Sequence, residues 1–161
     1  AEKIVSSNSN DYCIIRPSVI YGSTPATGKV NFVLWVIDSL RKQQKIRIVD
    51  DQWNTPTLNT NLANMTIEVM NRKLTGLFHL CGATRLNRLE FAQAVATLFN
   101  LDGSLIEPVK TSDFTWPAKR PKDSSLDTTK AQQQLNCQPL ELKKALNMLK
   151  EEINIKEKNT N

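Results

Sequence analysis

Three short stretches of this sequence concentrate residues that chemistry uses and a hydrophobic core does not. The first is Arg16-Pro17-Ser18-Val19-Ile20-Tyr21-Gly22. An arginine there can grip a phosphate or a carboxylate with both arms of its guanidinium, or tie loops together through backbone carbonyls. The second runs from Val49 to Thr57 and sets Gln52 and Trp53 among acids and amides. A flat indole beside hydrogen-bonding groups suits a sugar or a nucleobase. The competing reading is a turn whose Asp and Asn side chains satisfy backbone donors. Asp50 and Asp51 are neighbours and face opposite ways on a strand, so they make a poor acid–base pair. The third runs from Ala118 to Lys130, where the three cations Lys119, Arg120 and Lys122 would attract a diphosphate, with a solvated basic turn as the alternative.

Other chemistry is excluded by counting. His79 is the sole histidine, so a Ser-His-Asp triad or a multi-histidine metal site would have to use it. It sits in a short apolar run, Gly76–Cys81, and reads as a structural strand histidine. The glycines at 22, 28, 76, 82 and 103 form no dinucleotide fingerprint and no P-loop. No Tyr-x-x-x-Lys occurs. Cys13, Cys81 and Cys137 are widely spaced and odd in number, so no disulfide framework and no metal site is expected.

These stretches need elements to hold them. Helices are expected near 1–7, from an Asn31 cap to about Gln43, over 61–72 behind an Asn59 or Thr60 cap, from Leu86 to Asn100, from a Thr128 cap to Leu135, and from Leu140 to about 155. The helix after Asn31 shows an apolar stripe of Phe32, Trp35, Val36 and Leu40; the next shows Leu62, Met65, Val69 and Met70. Strands are expected at Tyr12–Arg16, Ile46–Val49, Gly76–Leu80 and Ser104–Val109, the first buried on both faces. Residues 17–28, 50–57 and 111–127 read as loops. Alternating strands and helices place the chain in the α/β class with parallel pairing. The Arg16 stretch directly follows a strand, and open α/β sheets collect ligands outside the carboxyl ends of their strands.

The 161 residues, 40% of them hydrophobic, suffice for one domain with a real core. A net charge of +5 is spread along the chain and is no nucleic-acid footprint. No apolar run approaches membrane length. The opening Ala-Glu-Lys-Ile-Val is neither a signal peptide nor a methionine start, so a chain cut from something longer, or numbered after processing, is expected. A cytoplasmic location is expected.

Taken in order, the motifs resemble the carboxyl-terminal half of the dTDP-4-dehydrorhamnose reductase family of extended short-chain dehydrogenases. The matching residues are Glu2-Lys3, Arg16 to Gly22, Asn31-Phe32, Asp51-Gln52 with Pro56-Thr57 and Leu62-Ala63, Gly76 to Leu80, and Arg120 to Lys130. The resemblance implies the last strands of a Rossmann-type domain plus a small substrate-binding domain over 1–155, with a polar tail at 156–161. It implies a sugar-nucleotide-binding portion of an NAD(P)-dependent reductase. The cofactor NAD(P)H would belong to the full-length protein and would not be held by this chain alone. The catalytic Tyr and Lys would lie before Ala1, so no catalytic residue is assigned here. Pro17 and Ser18 match the loop that approaches the nicotinamide. Arg16, Val19, Gln52, Trp53 and Arg120 are the substrate-binding candidates, with Arg120 on the diphosphate and Val19 where the reductases carry a tryptophan. Implied partners are a dTDP-sugar, an amino-terminal Rossmann half and a second copy of the chain. The same motifs occur in the non-catalytic β subunit of methionine adenosyltransferase, so a regulatory subunit is the alternative.

Overall fold

The computed structural model describes residues 1–9, 11–25 and 28–160. In chain order they form α1 (Glu2–Asn8), β1 (Cys13–Arg16), β2 (Ile20–Tyr21), α2 (Phe32–Arg41), β3 (Ile46–Val49), β4 (Trp53–Asn54), β5 (Thr57–Leu58), α3 (Asn59–Asn71), β6 (Gly76–His79), β7 (Leu86–Asn87), α4 (Arg88–Leu98), β8 (Ile106–Val109), α5 (Thr129–Gln134) and α6 (Leu142–Thr160). The class is α/β. β1 pairs with β6, β2 with β5 and β3 with β8, all parallel; β4 and β7 are antiparallel.

Two apolar clusters hold the layers. The larger joins α2, α4 and α6 to β3 and β8 through Val36, Leu40, Ile48, Phe91, Val95, Ile106 and Leu149. The smaller packs Met65 and Val69 of α3 and Ala131 of α5 against Phe78 and Leu80. The expected stripes supply these residues, but Met70 and Trp35 stay 69% and 39% exposed. Each lies at the edge of its stripe, so helical period alone assigns them too much burial.

Several expectations are corrected. Residues 50–57 are no loop: two short strands run there, and Gln52 and Asn54 to Thr57 are buried. Ile20–Tyr21 is a strand inside the expected 17–28 loop, of which Ala26 and Thr27 lie outside the described residues. Leu86–Asn87 is a strand, and α4 begins at Arg88, two residues after the expected start. α3 starts at Asn59 behind Leu58, with no side-chain cap. β1 is not buried on both faces: Cys13 and Arg16 are exposed and Ile14 and Ile15 half-buried. The physical reason is that β1 pairs along one edge only among the described residues, and α1 contributes no buried residue. α6 continues through the expected tail to Thr160. Asn161, the end of that tail, lies outside the described residues, as does Asn10.

Helices α2, α3 and α4 stop without glycine. Gln43, Lys73 and Asn100 take left-handed φ of 57°, 51° and 52° just past each cap. The next amides, of Gln44, Leu74 and Leu101, donate back to the carbonyls of Ser39, Val69 and Ala96 at 3.0, 3.0 and 2.9 Å. This is the Schellman closure, in which the terminal carbonyls find donors in the reversing chain.

Lys130, on α5, closes the outer edge of β6. Its Nζ donates to the Leu77 carbonyl at 3.0 Å and lies 3.9 Å from the centre of the Phe78 ring. A cation on an otherwise open strand edge also discourages pairing with other chains. Lys130→Ala is expected to cost about 2 kcal/mol, from one charge-assisted hydrogen bond and one cation–π contact. Urea unfolding at neutral pH checks it; a midpoint equal to wild type would remove Lys130 from the account.

Candidate functional site

The starts of α2 and α4 converge beside the end of β3. Asn31 caps α2 by accepting from the Leu34 amide at 3.1 Å, and its own amide donates to the Gly22 carbonyl at 2.8 Å. A reciprocal capping box starts α4: Asn87 accepts from the Glu90 amide, and Glu90 accepts from the Asn87 amide, both at 2.8 Å. Between these ends lies a cavity of about 240 Å³. Arg47, Arg88 and Arg120 line it together with Gln52, and its aromatic walls are Phe32, Trp35, Phe114 and Trp116. No carboxylate lines it.

Gln52 ties the walls together. It is 6% exposed. Its Nε2 donates to Thr111 Oγ1 at 3.1 Å, and its Oε1 accepts from Arg88 Nε at 3.1 Å. The Arg88 amide donates to its carbonyl at 3.2 Å. Thr111 is fixed in turn by Asp51, which accepts from its amide and hydroxyl at 2.9 and 2.6 Å. The hydroxyl bond, more than the amide, holds the Asp51 carboxyl below its usual range. Trp116 Nε1 donates to the Thr111 carbonyl at 3.0 Å. Arg120 then lies 5.1 Å from the Trp116 ring centre, and Arg47 lies 5.1 Å from that of Phe114. A second, wider recess of about 530 Å³ adjoins it and adds Lys110, Lys119 and Lys122. Of these, Lys110 is paired with Asp50 at 2.8 Å.

The structure thus brings Gln52 and Arg120 together, and leaves the other candidates elsewhere. Trp53 sits beside Gln52 in sequence but not in space: its ring lies under the Arg85 guanidinium at 4.3 Å. Alternation along a strand turns neighbours to opposite faces. Arg16 is taken up by an internal carboxylate. Its Nε donates to Glu2 Oε1 at 2.9 Å and a second nitrogen to Glu2 Oε2, tying α1 to β1. The Pro17–Val19 loop is held at its far side, where the Thr57 amide donates to the Val19 carbonyl at 3.0 Å and its hydroxyl to the Ser18 carbonyl. Ser18 is buried and Pro17 exposed. Val19 has φ +34°, a strained setting for a β-branched residue of the kind that gathers at functional sites. His79 presents Nδ1 to the Asp127 carbonyl at 2.9 Å. A carbonyl only accepts, so Nδ1 carries the proton.

Arg88, Arg47, Thr111 and Phe114 were not singled out from the sequence. Arg88 carried a signal, since it opens α4, where the helix dipole disfavours a cation. Arg47 looks like any exposed strand residue.

The glycines offer no dinucleotide cradle. A Cβ at Gly22 or Gly82 would meet Asn59 or Pro56, Gly76 lies beside Lys130, and Gly28 and Gly103 have nothing within 4 Å. These residues do not fit a cofactor pyrophosphate.

On the far face, Asp123 accepts from Arg85 at 2.7 Å. The Ser125 hydroxyl, then the Ser125 amide, then Arg85 hold its carboxyl down to about 2. A depressed carboxylate contributes stability that is present above its ordinary value of 3.8 and lost as pH falls toward 2. The urea midpoint of Asp123→Asn should therefore lie below wild type at pH 6, and the gap should close between about pH 4 and pH 2. A gap that stays constant through that window would remove the carboxylate's charge as its source.

Residues 1–155 match the family described as RmlD substrate binding domain. A probable low-salt glycan biosynthesis reductase, Agl14, of Haloferax volcanii is 30% identical over 128 residues, covering 79% of this chain and 43% of that protein. Methionine adenosyltransferase 2 subunit beta of Rattus norvegicus is 27% identical, over 80% of this chain and 40% of its own length. The crystal structure of dTDP-4-dehydrorhamnose reductase from Bacillus anthracis, in complex with NADP, superposes with a TM-score of 0.83 at 26% identity, covering 94% of this chain and 52% of that one. The chain spans about half the length of the relatives it matches. With the ordered motifs, the α/β architecture and 155 matched residues in agreement, the chain belongs to the RmlD substrate binding domain family.

Proposed function

We propose that this chain is the sugar-nucleotide-binding portion of an NAD(P)-dependent, dTDP-4-dehydrorhamnose reductase-like oxidoreductase. One observation carries the reading. Gln52 and Arg120, far apart in sequence, line one cavity with aromatic walls and no carboxylate. Cations and flat apolar faces together are what a nucleoside diphosphate needs. In this reading Arg120 takes the diphosphate, Gln52 braces the floor, and the Ser18–Val19 loop faces the sugar and the nicotinamide.

The reduction step would use residues outside these 161, since no Tyr-x-x-x-Lys occurs within them. An amino-terminal Rossmann half would pack on α1 and the open side of β1. Support for that comes from the exposure of Ile4 and Val5, 65% and 45%, and from a groove of about 540 Å³ beside β1 lined by Tyr12, Ile15 and Leu74. Among the described residues no helix is long and apolar enough to cross a membrane. Three free thiols suit the reducing cytoplasm.

The relative that is a methionine adenosyltransferase subunit favours a second reading, a regulatory subunit of the same fold. Calorimetric titration of the whole protein with a dTDP-sugar, followed by NADH and NADPH oxidation with the 4-keto sugar, separates them. Binding with turnover supports the reductase. Binding without turnover favours the regulator, and no binding ends the nucleotide reading.

A further inference from the structure

We infer that Arg88 determines the charge of the ligand, facing one phosphoryl group while Arg120 faces the other, so that the cavity selects a nucleoside diphosphate over a monophosphate. This rests on the nucleotide reading of the cavity and names a residue that the motif resemblance does not supply. Arg88 is held from one side only. Its Nε donates to Gln52 Oε1, and its guanidinium carbon lies 5.8 Å from the Phe32 ring centre. Its two terminal nitrogens have no hydrogen-bond partner among the described residues. Arg88 and Arg120 both line the cavity.

Burial first, and then the nearby Arg120 guanidinium, disfavour the charge on Arg88. No carboxylate lines the cavity to offset them. An anion between them relieves both costs, and a ligand with one phosphoryl group at each arginine relieves them best. The two arginines differ in freedom. Arg88 is braced by the buried Gln52, whereas Arg120 is exposed and rests on Trp116. A braced fork is the one that can discriminate, because it cannot follow a ligand that lacks its phosphoryl group.

The test is titration of the whole protein with dTDP, dTMP and thymidine, for wild type, Arg88→Gln and Arg88→Lys. Wild type should bind dTDP about ten- to a hundredfold more tightly than dTMP. Arg88→Gln should cut that ratio about tenfold, with thymidine affinity changed less than about twofold. Arg88→Lys should keep an intermediate ratio, since the charge survives and the fork does not. It also covers the case in which the glutamine variant fails to fold. A ratio unchanged from wild type in the folded variant overturns the inference, as does an equal loss for all three probes, which would make Arg88 a structural brace. If wild type binds none of the probes, the nucleotide reading itself fails, and this inference with it.

Discussion

Arg120→Ala is expected to weaken dTDP-sugar binding about ten- to a hundredfold, the worth of one charge-assisted contact of about 1.5–3 kcal/mol. The expectation follows from how the residue is presented. Its guanidinium is exposed and rests on the Trp116 ring, and Trp116 is anchored through Thr111 to Asp51. Removing an exposed side chain leaves that scaffold in place, so the loss should appear in binding and not in folding. Arg120→Lys should recover part of the affinity, because a lysine keeps the charge and loses the two-pronged geometry. Lys119→Ala and Lys122→Ala should change it little, since both line the outer recess only. Calorimetry on the four variants decides the matter. Equal dTDP-sugar affinity for wild type and folded Arg120→Ala would return the Lys119–Lys122 stretch to a solvated basic turn.

Gly82→Ala is expected to destabilise the protein by about 3 kcal/mol, the upper range for forcing an extra methyl into a packed site. A Cβ at Gly82 would sit 2.1 Å from the Pro56 carbonyl oxygen, and that oxygen belongs to backbone that cannot swing aside. Pro56 lies between Thr55, which donates to Cys81 Sγ at 3.3 Å, and Thr57, which holds the Ser18–Val19 loop. Displacing it would disturb the segment that carries Gln52 at one end and that loop at the other. The melting temperature should fall by about 6–12 °C for a protein of this size. Gly22→Ala is the control. Its Cβ would meet the Asn59 side-chain amide, which can rotate away, so the cost should stay near 1 kcal/mol. A Gly82→Ala protein that melts with wild type would show that the 82–56 approach is not tight.

Much of this protein was legible in the residues alone. The order of helices and longer strands and the α/β class with parallel pairing follow from local pattern, whereas the choice of β6 as partner for β1 and of β8 for β3 does not. Apolar period, capping residues and β-branched runs are properties of neighbours in sequence, and neighbours are what a sequence displays. The two-residue strands β2, β4, β5 and β7 show no such pattern. They exist because distant partners supply the hydrogen bonds, as Lys122 and Ser124 do for the backbone of Trp53. The same limit hid Arg88. Its first-turn position was visible, but Gln52, 36 residues away, is what fixes its guanidinium in the cavity. It also hid the partners of Trp53 and Arg16, which are Arg85 and Glu2. The sequence by itself determined which helices and longer strands form and which residue types follow those strands. Tertiary packing decided which of those residues face one another, because side-chain direction on a short strand depends on register, and register is set by a partner far along the chain.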